Sequence, residues 1–419
     1  MRTLIAGTTY YPAFNGQSIF TTNLAEGLVQ RGHQVLMLTS SVQGRPCQTE
    51  RNGVQIHKVS SISLQTWHPD AVVSPFSAGE VARIFDTFRP EVVHIHDHYP
   101  LAHDVLRAAR RRGLRVVGTN HFMPENLAPY IPALAHFKPF FNRMLWRWML
   151  NVYNRLDVVT APSKTAAAIL TREGLDVPVY PLSCGVDQRR FYYNATLDRR
   201  AWREKYGLAQ DKTVFLFVGR VDGEKKLDVI LHALQILERD DVQFVVAGKG
   251  AAAHSLQEQA RQLGLGEQVH FTGFIPAEDL PALLNSADIF IMPSEAELLS
   301  IATLEAMSCR KPVLAAQAQA LPELVSDGVN GYLFRPGDAA DAARGMALLA
   351  GQAENWPAMG EASLQKVQVH SLENTLRGYE IIYERMLSGG SLYNLQTNPA
   401  AYERPGAQLP GVAAVGKRG

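Results

Sequence analysis

The stretch Val214-Phe215-Leu216-Phe217-Val218-Gly219 sets five apolar residues in a row and closes them with a glycine. A run of this length, followed by a helical pattern at residues 227–237, is typical of a buried strand and its covering helix. The same combination recurs downstream. The further apolar runs lie at residues 242–247, 269–271, 289–292, 313–315 and 331–334. Strands that alternate with helices predict an α/β fold with a parallel sheet covered on both faces.

An equivalent series precedes that stretch. Its apolar runs lie at residues 4–6, 35–38, 54–59, 92–95, 115–118, 158–161 and 179–180. Two series predict two Rossmann-like domains that face each other across a cleft, with bounds at 1–188 and 189–371. We expect a helix at about 372–387 to pack back on the first domain. Residues 388–419 are rich in Gly, Pro and Ala and are predicted to form a flexible tail.

Composition excludes several classes of protein. The chain has 419 residues, of which 46% are hydrophobic and 19% charged, which excludes wholesale disorder. Its net charge of +1 excludes a general polyanion binder. The three cysteines, at positions 47, 184 and 309, show no C-x-x-C spacing, so neither a disulfide framework nor a Cys-based zinc site is expected. The N-terminal apolar run is too short for a signal peptide or a membrane span, and we expect a cytoplasmic protein. The oligomeric state stays open.

The most informative segment runs from Ser294 to Met307 and contains two glutamates. A strand is predicted to end at Met292 and a helix to begin near Ser300. Glu297 would then lie on the turn at the carboxyl edge of the sheet, where open α/β sheets bind ligands. Glu305 would lie on the helix that follows. The alternative is that both acids merely suit the positive end of a helix dipole.

This segment resembles the E-x7-E signature of retaining glycosyltransferases of family 4, which have the two-domain GT-B fold; here it spans residues 297–312. The resemblance implies that Glu297 faces the donor sugar and Glu305 the ribose hydroxyls. It also places Leu298, Leu299 and Ser300 at the substrate. Two departures stand out: Leu299-Ser300 replaces the usual Phe-Gly, which leaves the donor identity open, and Arg310 replaces a Gly. We expect the second departure to change a helix cap.

A second motif, Gly219-Arg220-Val221-Asp222-Gly223-Glu224-Lys225, resembles the family's G-R-x-x-x-E-K loop. A diphosphate leaving group gains negative charge as the glycosidic bond breaks. Arg220 and Lys225 on one loop would neutralise that charge without a metal, and Gly219 would lie against the substrate. No metal or other cofactor is expected. The alternative is a pair of solvated surface charges.

Further candidates come from shorter segments. Gly248-Lys249-Gly250 resembles the family's G-x-G turn, where small residues let the nucleotide approach the backbone. Gly16 ends a segment that resembles the family's Y-x-P-x-x-G-G, which approaches the donor phosphate and the acceptor. Thr119-Asn120-His121 resembles the family's T-x-H, whose histidine contacts the donor sugar. The alternative for His121 is a packed structural histidine.

Alternating histidines at positions 94, 96 and 98 suggest a metal site on one strand face. A fourth ligand at standard spacing is not apparent, and the family needs no metal, so we expect none here. Ser163 and Asp187 also fit family positions, but both equally suit helix or turn caps and are not assigned to the site.

A basic and aromatic stretch at residues 137–150, together with arginines between positions 107 and 115, has the composition of an interfacial helix. Trp146 and Trp148 cannot share a helix face, so we expect one to insert into a membrane and the other to pack inward. The alternatives are a helix packed on the sheet with a solvated basic face, or an RNA-binding face. A nucleic-acid partner is not expected.

Together these features predict a retaining, metal-independent hexosyltransferase that uses a nucleotide diphosphate sugar, with UDP-sugars such as UDP-glucose favoured. The segments at 121–126 and 300–305 resemble family members that glycosylate diacylglycerol-type lipids, so a lipid acceptor at an anionic, cytoplasmic membrane surface is expected. The alternative acceptor is a soluble sugar or a lipid-linked saccharide. A nicotinamide dehydrogenase would need a G-x-G-x-x-G that the first strand lacks, and a solute-binding protein would need an export signal.

Overall fold

The computed structural model describes residues 1–11, 15–63, 72–124 and 138–395. It contains two α/β domains, each built on a parallel sheet, and a helix that returns from the second domain to the first. The first domain contains β1 (Arg2–Ala6), α1 (Gly16–Gln30), β2 (Gln34–Ser40), β3 (Cys47–Arg51), β4 (Val54–Val59), β5 (Ile62–Ser63), β6 (Val72–Val73), α2 (Ala78–Phe88), β7 (Val92–Ile95), α3 (Pro100–Arg111), β8 (Val116–Thr119), α4 (Lys138–Tyr153), β9 (Val158–Ala161), α5 (Lys164–Glu173) and β10 (Val179–Pro181).

The second domain repeats the alternation of strand and helix. Its elements, followed by the returning helix, are α6 (Arg199–Tyr206), β11 (Thr213–Val218), α7 (Leu227–Leu237), β12 (Val242–Ala247), α8 (Ala253–Gln262), β13 (Val269–Gly273), α9 (Leu280–Ser286), β14 (Ile289–Met292), α10 (Ile301–Ser308), β15 (Val313–Ala316), α11 (Leu321–Leu324), β16 (Gly331–Phe334), α12 (Ala339–Ala350), α13 (Trp356–Val367) and α14 (Leu372–Leu387). The α/β architecture expected from the apolar runs is confirmed.

The order of the strands places the functional loops. The sheet of the first domain has the order β10-β9-β8-β7-β1-β2-β4-β3, and that of the second has the order β13-β12-β11-β14-β15-β16. All neighbours pair in parallel except β3 and β4. The order in which strands are added to each sheet therefore reverses, between β1 and β7 in the first sheet and between β11 and β14 in the second. We call each such place the reversal point of its sheet. Open α/β sheets form a ligand crevice at the carboxyl ends of such strands.

The helix α14 belongs to the core of the first domain, as expected. Tyr383 donates or accepts a 2.8 Å hydrogen bond with Nδ1 of His94, and the hydroxyl of Tyr379 lies 3.0 Å from Oγ1 of Thr119. At the surface Arg31 binds Glu380 through two hydrogen bonds of 2.9 and 2.7 Å. Because burial without a partner would be costly for these hydroxyls and rings, the network fixes α14 in one position.

The tail begins later than the composition indicates. Leu392 and Leu395 are buried, and the hydroxyl of Tyr180 binds the Leu392 carbonyl at 2.7 Å and accepts the Leu395 N–H at 3.0 Å. Residues 388–395 are thus packed against the first domain, and the expectation of a flexible tail from residue 388 is wrong for this part. Its composition misleads because two leucines and backbone bonds suffice to hold it. Residues 396–419 lie outside the described part of the chain.

Candidate active site

Two loops meet at the reversal point of the second sheet. The loop after β11 runs through Gly219 and Arg220 into a short 3-10 turn at Gly223–Lys225. The loop after β14 ends at Ser300, whose hydroxyl accepts the Thr303 N–H at 3.3 Å and so caps α10. The expected start of this helix is therefore confirmed. The loops join where Nζ of Lys225 lies 2.6 Å from Oε1 of Glu297.

The charges in this cluster are paired with one another. Lys225 also lies 3.5 Å from Glu224, and Arg220 forms 3.2 Å ion pairs with both Glu224 and Asp222. Burial alone would lower the pKa of Lys225, but the charges of Glu297 and Glu224 outweigh it and raise that pKa. The ammonium group therefore stays charged. The alternative of a fully solvated pair is wrong for Lys225, whereas a role on a diphosphate stays a prediction for both cations.

Gly248 and Gly250 are required by the contact between two loops. A Cβ at Gly248 would overlap the carbonyl oxygen of Gly219, and one at Gly250 would overlap the carbonyl oxygen of Val221. The backbone N–H of Val221 donates to the Lys249 carbonyl at 2.9 Å. The two glycines thus let the loop at 219–221 lie directly on the loop at 248–250. Close approach of a nucleotide to this turn stays a prediction.

Glu305 is a buried acid on α10. Burial raises the pKa of its carboxyl to about 8, and the charge of Arg190 opposes the shift only in part. Among the described residues, no hydrogen bond reaches this carboxyl group. Burial disfavours the ionised form of this group, and hydroxyl groups of a ligand that donate to the carboxylate would offset that penalty.

Residues of the E-x7-E segment pack in two different hydrophobic clusters. Leu299 lies in a cluster that contains residues of both domains, whereas Leu298 packs in a cluster whose other members belong to the first domain. The loop after β14 therefore touches the first domain. Arg310 follows the end of α10 with a φ of +55°, the left-handed conformation that glycine adopts most easily, and pairs with Glu361 at 3.1 Å. This departure from the family pattern lies at a helix end, as expected.

The reversal point of the first sheet carries His121 and Gly16. His121 follows β8, and its Nε2 atom is buried with no hydrogen-bond partner among the described residues. Burial lowers the pKa of His121 to about 3, so its ring is neutral, and it packs 4.8 Å from the ring of Phe20. Gly16 begins α1, and a Cβ there would meet no atom of the described residues within 4 Å.

The other three histidines have structural surroundings. His94 lies between Tyr383 and Thr119, at 2.8 and 2.6 Å, and Nδ1 of His96 lies 2.8 Å from Oγ1 of Thr21. Both ring nitrogens of His98 are buried without a partner in the described part of the chain, and Trp148 packs edge-on against that ring at 4.6 Å. The described residues contain no group of three or more ligands suited to a metal ion.

The helix α4 presents an apolar stripe to solvent. Phe140, Met144 and Trp148 repeat every fourth residue with exposed fractions of 72%, 48% and 38%. Trp146 is buried, which confirms that one of the two tryptophans packs inward. Arg143 and Arg147 are exposed beside the stripe. Over the described ranges, no helix has both the length and the apolar character needed to cross a bilayer.

Four of the arginines between positions 107 and 115 have partners within the protein. Arg107 pairs with Asp104 at 3.0 Å, Arg110 with Asp157 at 2.9 Å, and Arg112 with Asp86. Arg115 donates to the carbonyl oxygens of Gly389 and Gly390 at 3.1 and 2.7 Å. A part for these arginines in a basic interfacial surface stays a prediction.

Comparison with known families identifies the two domains. The family described as Glycosyltransferase Family 4 matches residues 14–190, and the family described as Glycosyl transferases group 1 matches residues 198–364. The chain is a glycosyltransferase of this family 4, group 1 type. The two matches fall on the two domains of the structure, so the family assignment and the fold agree.

Relatives of this glycosyltransferase align over most of its length. An uncharacterised glycosyltransferase of Methanocaldococcus jannaschii is 27% identical over 77% of this chain and 81% of its own. The alpha-monoglucosyldiacylglycerol synthase of Streptococcus pneumoniae is 25% identical over 80% and 75%. The N-acetyl-alpha-D-glucosaminyl L-malate synthase of Bacillus anthracis is 23% identical over 91% and 97%. Relatives with such different names leave the acceptor of this chain open.

Solved structures show the same GT-B fold. Sucrose-phosphate synthase from Thermosynechococcus elongatus superposes with a TM-score of 0.78 and 18% identity, over 93% of this chain and all of its own. Anabaena HepE, solved in complex with UDP-glucose, superposes with a TM-score of 0.73 and 18% identity over the same shares. The expected GT-B architecture of this glycosyltransferase is confirmed.

Sequence patterns missed two residues near the site. Asp97 accepts hydrogen bonds from the backbone N–H and the hydroxyl of Thr8, at 2.5 and 2.7 Å, and so ties the loop after β1 to the end of β7. Its place directly after a buried strand is the signal that would have found it. Glu323 contacts the first domain from the second, and no local pattern announces that contact. Ser163 and Asp187, for which the sequence leaves a cap and a site role open, both cap the backbone, since Ser163 accepts the Ala166 N–H and Asp187 the Arg189 N–H.

Proposed function

We propose that this glycosyltransferase is a retaining, metal-independent enzyme that transfers a hexose from a nucleotide diphosphate sugar, with UDP-sugars favoured. The observation that carries the proposal is the 2.6 Å contact between Lys225 and Glu297, which joins the two loops at the reversal point of the second sheet. A cation for the diphosphate and a carboxylate for the sugar thus lie side by side. The named complex of HepE with UDP-glucose, a protein of the same fold, supports a donor of this kind.

The ion pairs of the site suggest how the donor is received. Three carboxylates, those of Asp222, Glu224 and Glu297, surround the two cations. An arriving diphosphate would replace Glu297 as the ion-pair partner of Lys225. It would also bind Arg220, which would keep its ion pairs with Asp222 and Glu224. The Glu297 carboxylate would then be free to accept hydroxyl groups of the hexose. Once the diphosphate is bound, both cations would be in place before the glycosidic bond breaks, so charge that develops on the leaving group would be balanced without further reorganisation.

Glu305 and His121 complete the donor site in this proposal. The Glu305 carboxyl group, buried and without a partner among the described residues, would accept the ribose hydroxyls. His121 lies in the first domain and would face the hexose across the cleft. Its ring is neutral, so it would bind a sugar hydroxyl by a hydrogen bond and would hold the donor in position without carrying charge.

We further propose that the acceptor is a membrane lipid such as diacylglycerol and that the enzyme is peripheral on the cytoplasmic face. The stripe of Phe140, Met144 and Trp148 supports this, because a lipid acceptor cannot leave the bilayer cheaply and the cleft must come to it. Arg143 and Arg147 beside the stripe would each contribute about 1 kcal/mol near an anionic surface. The pneumococcal relative named alpha-monoglucosyldiacylglycerol synthase also favours this acceptor class.

Sedimentation with vesicles tests the membrane proposal. Wild type is expected to co-sediment with phosphatidylglycerol vesicles at low salt and less at high salt, since salt screens the attraction. Reversing both charges, Arg143→Glu with Arg147→Glu, is expected to abolish binding. The matched control, Arg83→Glu with Arg200→Glu, makes the same charge change at exposed positions of α2 and α6 and should bind normally. Failure of wild type to bind even at low salt would contradict a lipid surface as partner.

A soluble sugar or a lipid-linked saccharide is the second candidate acceptor. The Bacillus anthracis relative, named N-acetyl-alpha-D-glucosaminyl L-malate synthase, aligns with 91% of this chain. A transfer assay decides between the candidates. It offers radiolabelled UDP-glucose, UDP-galactose or GDP-mannose together with total membrane lipid or with a panel of soluble sugars. Label in the lipid phase supports the lipid acceptor, and label only in soluble product overturns it. Binding of a nucleotide sugar without any slow hydrolysis or transfer would contradict the enzyme proposal.

A further inference from the structure

A carboxylate of the second domain caps a helix of the first. Glu323 lies on α11, and its Oε1 accepts the backbone N–H of Thr165 at 2.7 Å while Oε2 accepts that of Lys164 at 3.2 Å. These N–H groups belong to the first turn of α5, where a helix leaves its donors without internal partners. The positive end of the helix dipole strengthens the attraction to a carboxylate. The result is a charge-assisted contact between the domains.

The same short helix is tied to the loop that holds Glu297. The backbone N–H of Ala320, directly before α11, donates to the Glu297 carbonyl oxygen at 3.1 Å. Leu298, the next residue of that loop, packs in a hydrophobic cluster of the first domain. Only the backbone of residues 320–323 therefore separates the domain contact from the donor-side loop. A displacement at Glu323 would be passed on to Glu297.

The contact lies beside the segments that connect the domains. The chain crosses between the domains near Val186 and again near Leu372, and these two segments pair with each other. The Val186 N–H donates to the His370 carbonyl oxygen, and the Leu372 N–H donates to the Val186 carbonyl oxygen, both at 2.9 Å. Burial lowers the pKa of His370 to about 4, and the charge of Glu323 opposes that shift in part. Near a pivot, a small displacement becomes a larger one at the far side of the cleft.

We infer that Glu323 is a positioning residue that fixes the angle between the two domains and, through Ala320, the place of Glu297 relative to the first domain. Only the consequence for Glu297 rests on the proposed function, because the contact between the domains is independent of any substrate. Glu323→Ala removes both hydrogen bonds, and Glu323→Gln keeps one acceptor oxygen. Ser163→Ala is the matched control, since it removes the cap of the same helix, whose hydroxyl accepts the Ala166 N–H at 3.0 Å, and leaves Glu323 in place.

Electron–electron distance measurements test the angle without substrate. One spin label is placed on Cys47, the exposed cysteine, and the other on Glu354→Cys in the second domain, while Cys184 and Cys309 are buried. In Glu323→Ala the distance between the two labels is expected to become longer or its distribution broader. The ratio of molecules with the wild-type domain angle to molecules with a wider angle should fall about tenfold or more. Glu323→Gln should fall between Ala and wild type. An unchanged distribution in Glu323→Ala, or an equal change in Ser163→Ala, would overturn the inference.

Kinetics on the unlabelled variants test the link to Glu297. For UDP-glucose hydrolysis, kcat of Glu323→Ala is expected to fall about tenfold, with partial recovery in Glu323→Gln. The Kd for UDP should change less than twofold, because UDP lacks the hexose that Glu297 would face. Equal losses of kcat and UDP affinity would contradict the link. If wild type neither hydrolyses UDP-glucose nor transfers its glucose, this donor is contradicted, and the distance measurement alone decides on Glu323.

Discussion

Replacing Glu305 by Gln is expected to remove a specific pH dependence of stability. Burial raises the pKa of this carboxyl from 4.5 to about 8 in the folded protein, so between these values the native state holds a proton that the unfolded state has lost. Stability from this group is therefore complete below about pH 4.5 and is lost as pH rises to about 8. The loss amounts to about 1.4 kcal/mol per pH unit.

The free energy of unfolding of wild type and Glu305→Gln, measured by urea titration at pH 5.5, 6.5 and 7.5, gives the comparison. Subtracting the two values at each pH removes the contribution of all other titrating groups. From pH 5.5 to 7.5 the difference is expected to shift by about 3 kcal/mol against wild type. A difference that stays constant would show that the Glu305 carboxyl titrates normally, and the reasoning from its burial would be refuted.

The same acid is expected to couple nucleotide binding to proton release. Hydroxyl groups that donate to a carboxylate favour its ionised form. UDP binding should therefore release a proton near neutral pH and grow tighter as pH rises towards 8, and Glu305→Gln should show neither effect. Calorimetry of UDP binding in two buffers of different ionisation enthalpy measures the released proton. Proton release that persists in the variant would assign it to another group.

Three further outcomes concern the reaction itself. Arg220→Ala and Lys225→Ala should each lower turnover on the order of 10²-fold, because each removes a charge from the leaving diphosphate; near-normal turnover in both would contradict the clamp. His121→Ala should bind UDP as wild type does and lose sugar transfer, and full activity would leave this ring a packing role. EDTA should not change donor hydrolysis, since the balancing charges belong to the protein; a loss that added metal reverses would contradict a metal-independent reaction.

The sequence predicts what depends on local patterns. The buried strands were recognisable as apolar runs, and Ser300 was recognisable as the start of a helix. The edge strand β3 was missed because its side chains are almost all exposed, so no apolar pattern marks Cys47–Arg51. Its pairing with β4 supplies the backbone bonds that the side chains do not reveal.

The candidate site was predictable in its residues and not in its contacts. Motif spacing gave Lys225 and Glu297, but their ion pair joins positions 72 residues apart. The burial that raises the pKa of Glu305, and the contact of Glu323 with α5, depend on elements that meet only in the folded chain. Composition does not reveal the partners of Arg110 and Arg112 for the same reason, since Asp157 and Asp86 lie far from them in the sequence.

The position of α14 has a consequence for synthesis. The first domain is translated first, yet two of its hydrogen-bond partners come late in the chain. Tyr383 binds His94 and Tyr379 binds Thr119, and both tyrosines are among the last residues described. While the chain is still being made, the first domain lacks a wall of its core, whereas the second has all its strands once residue 334 has emerged. The domain made second would then finish first, and a protein cut before residue 372 should expose the apolar surface that α14 covers and aggregate.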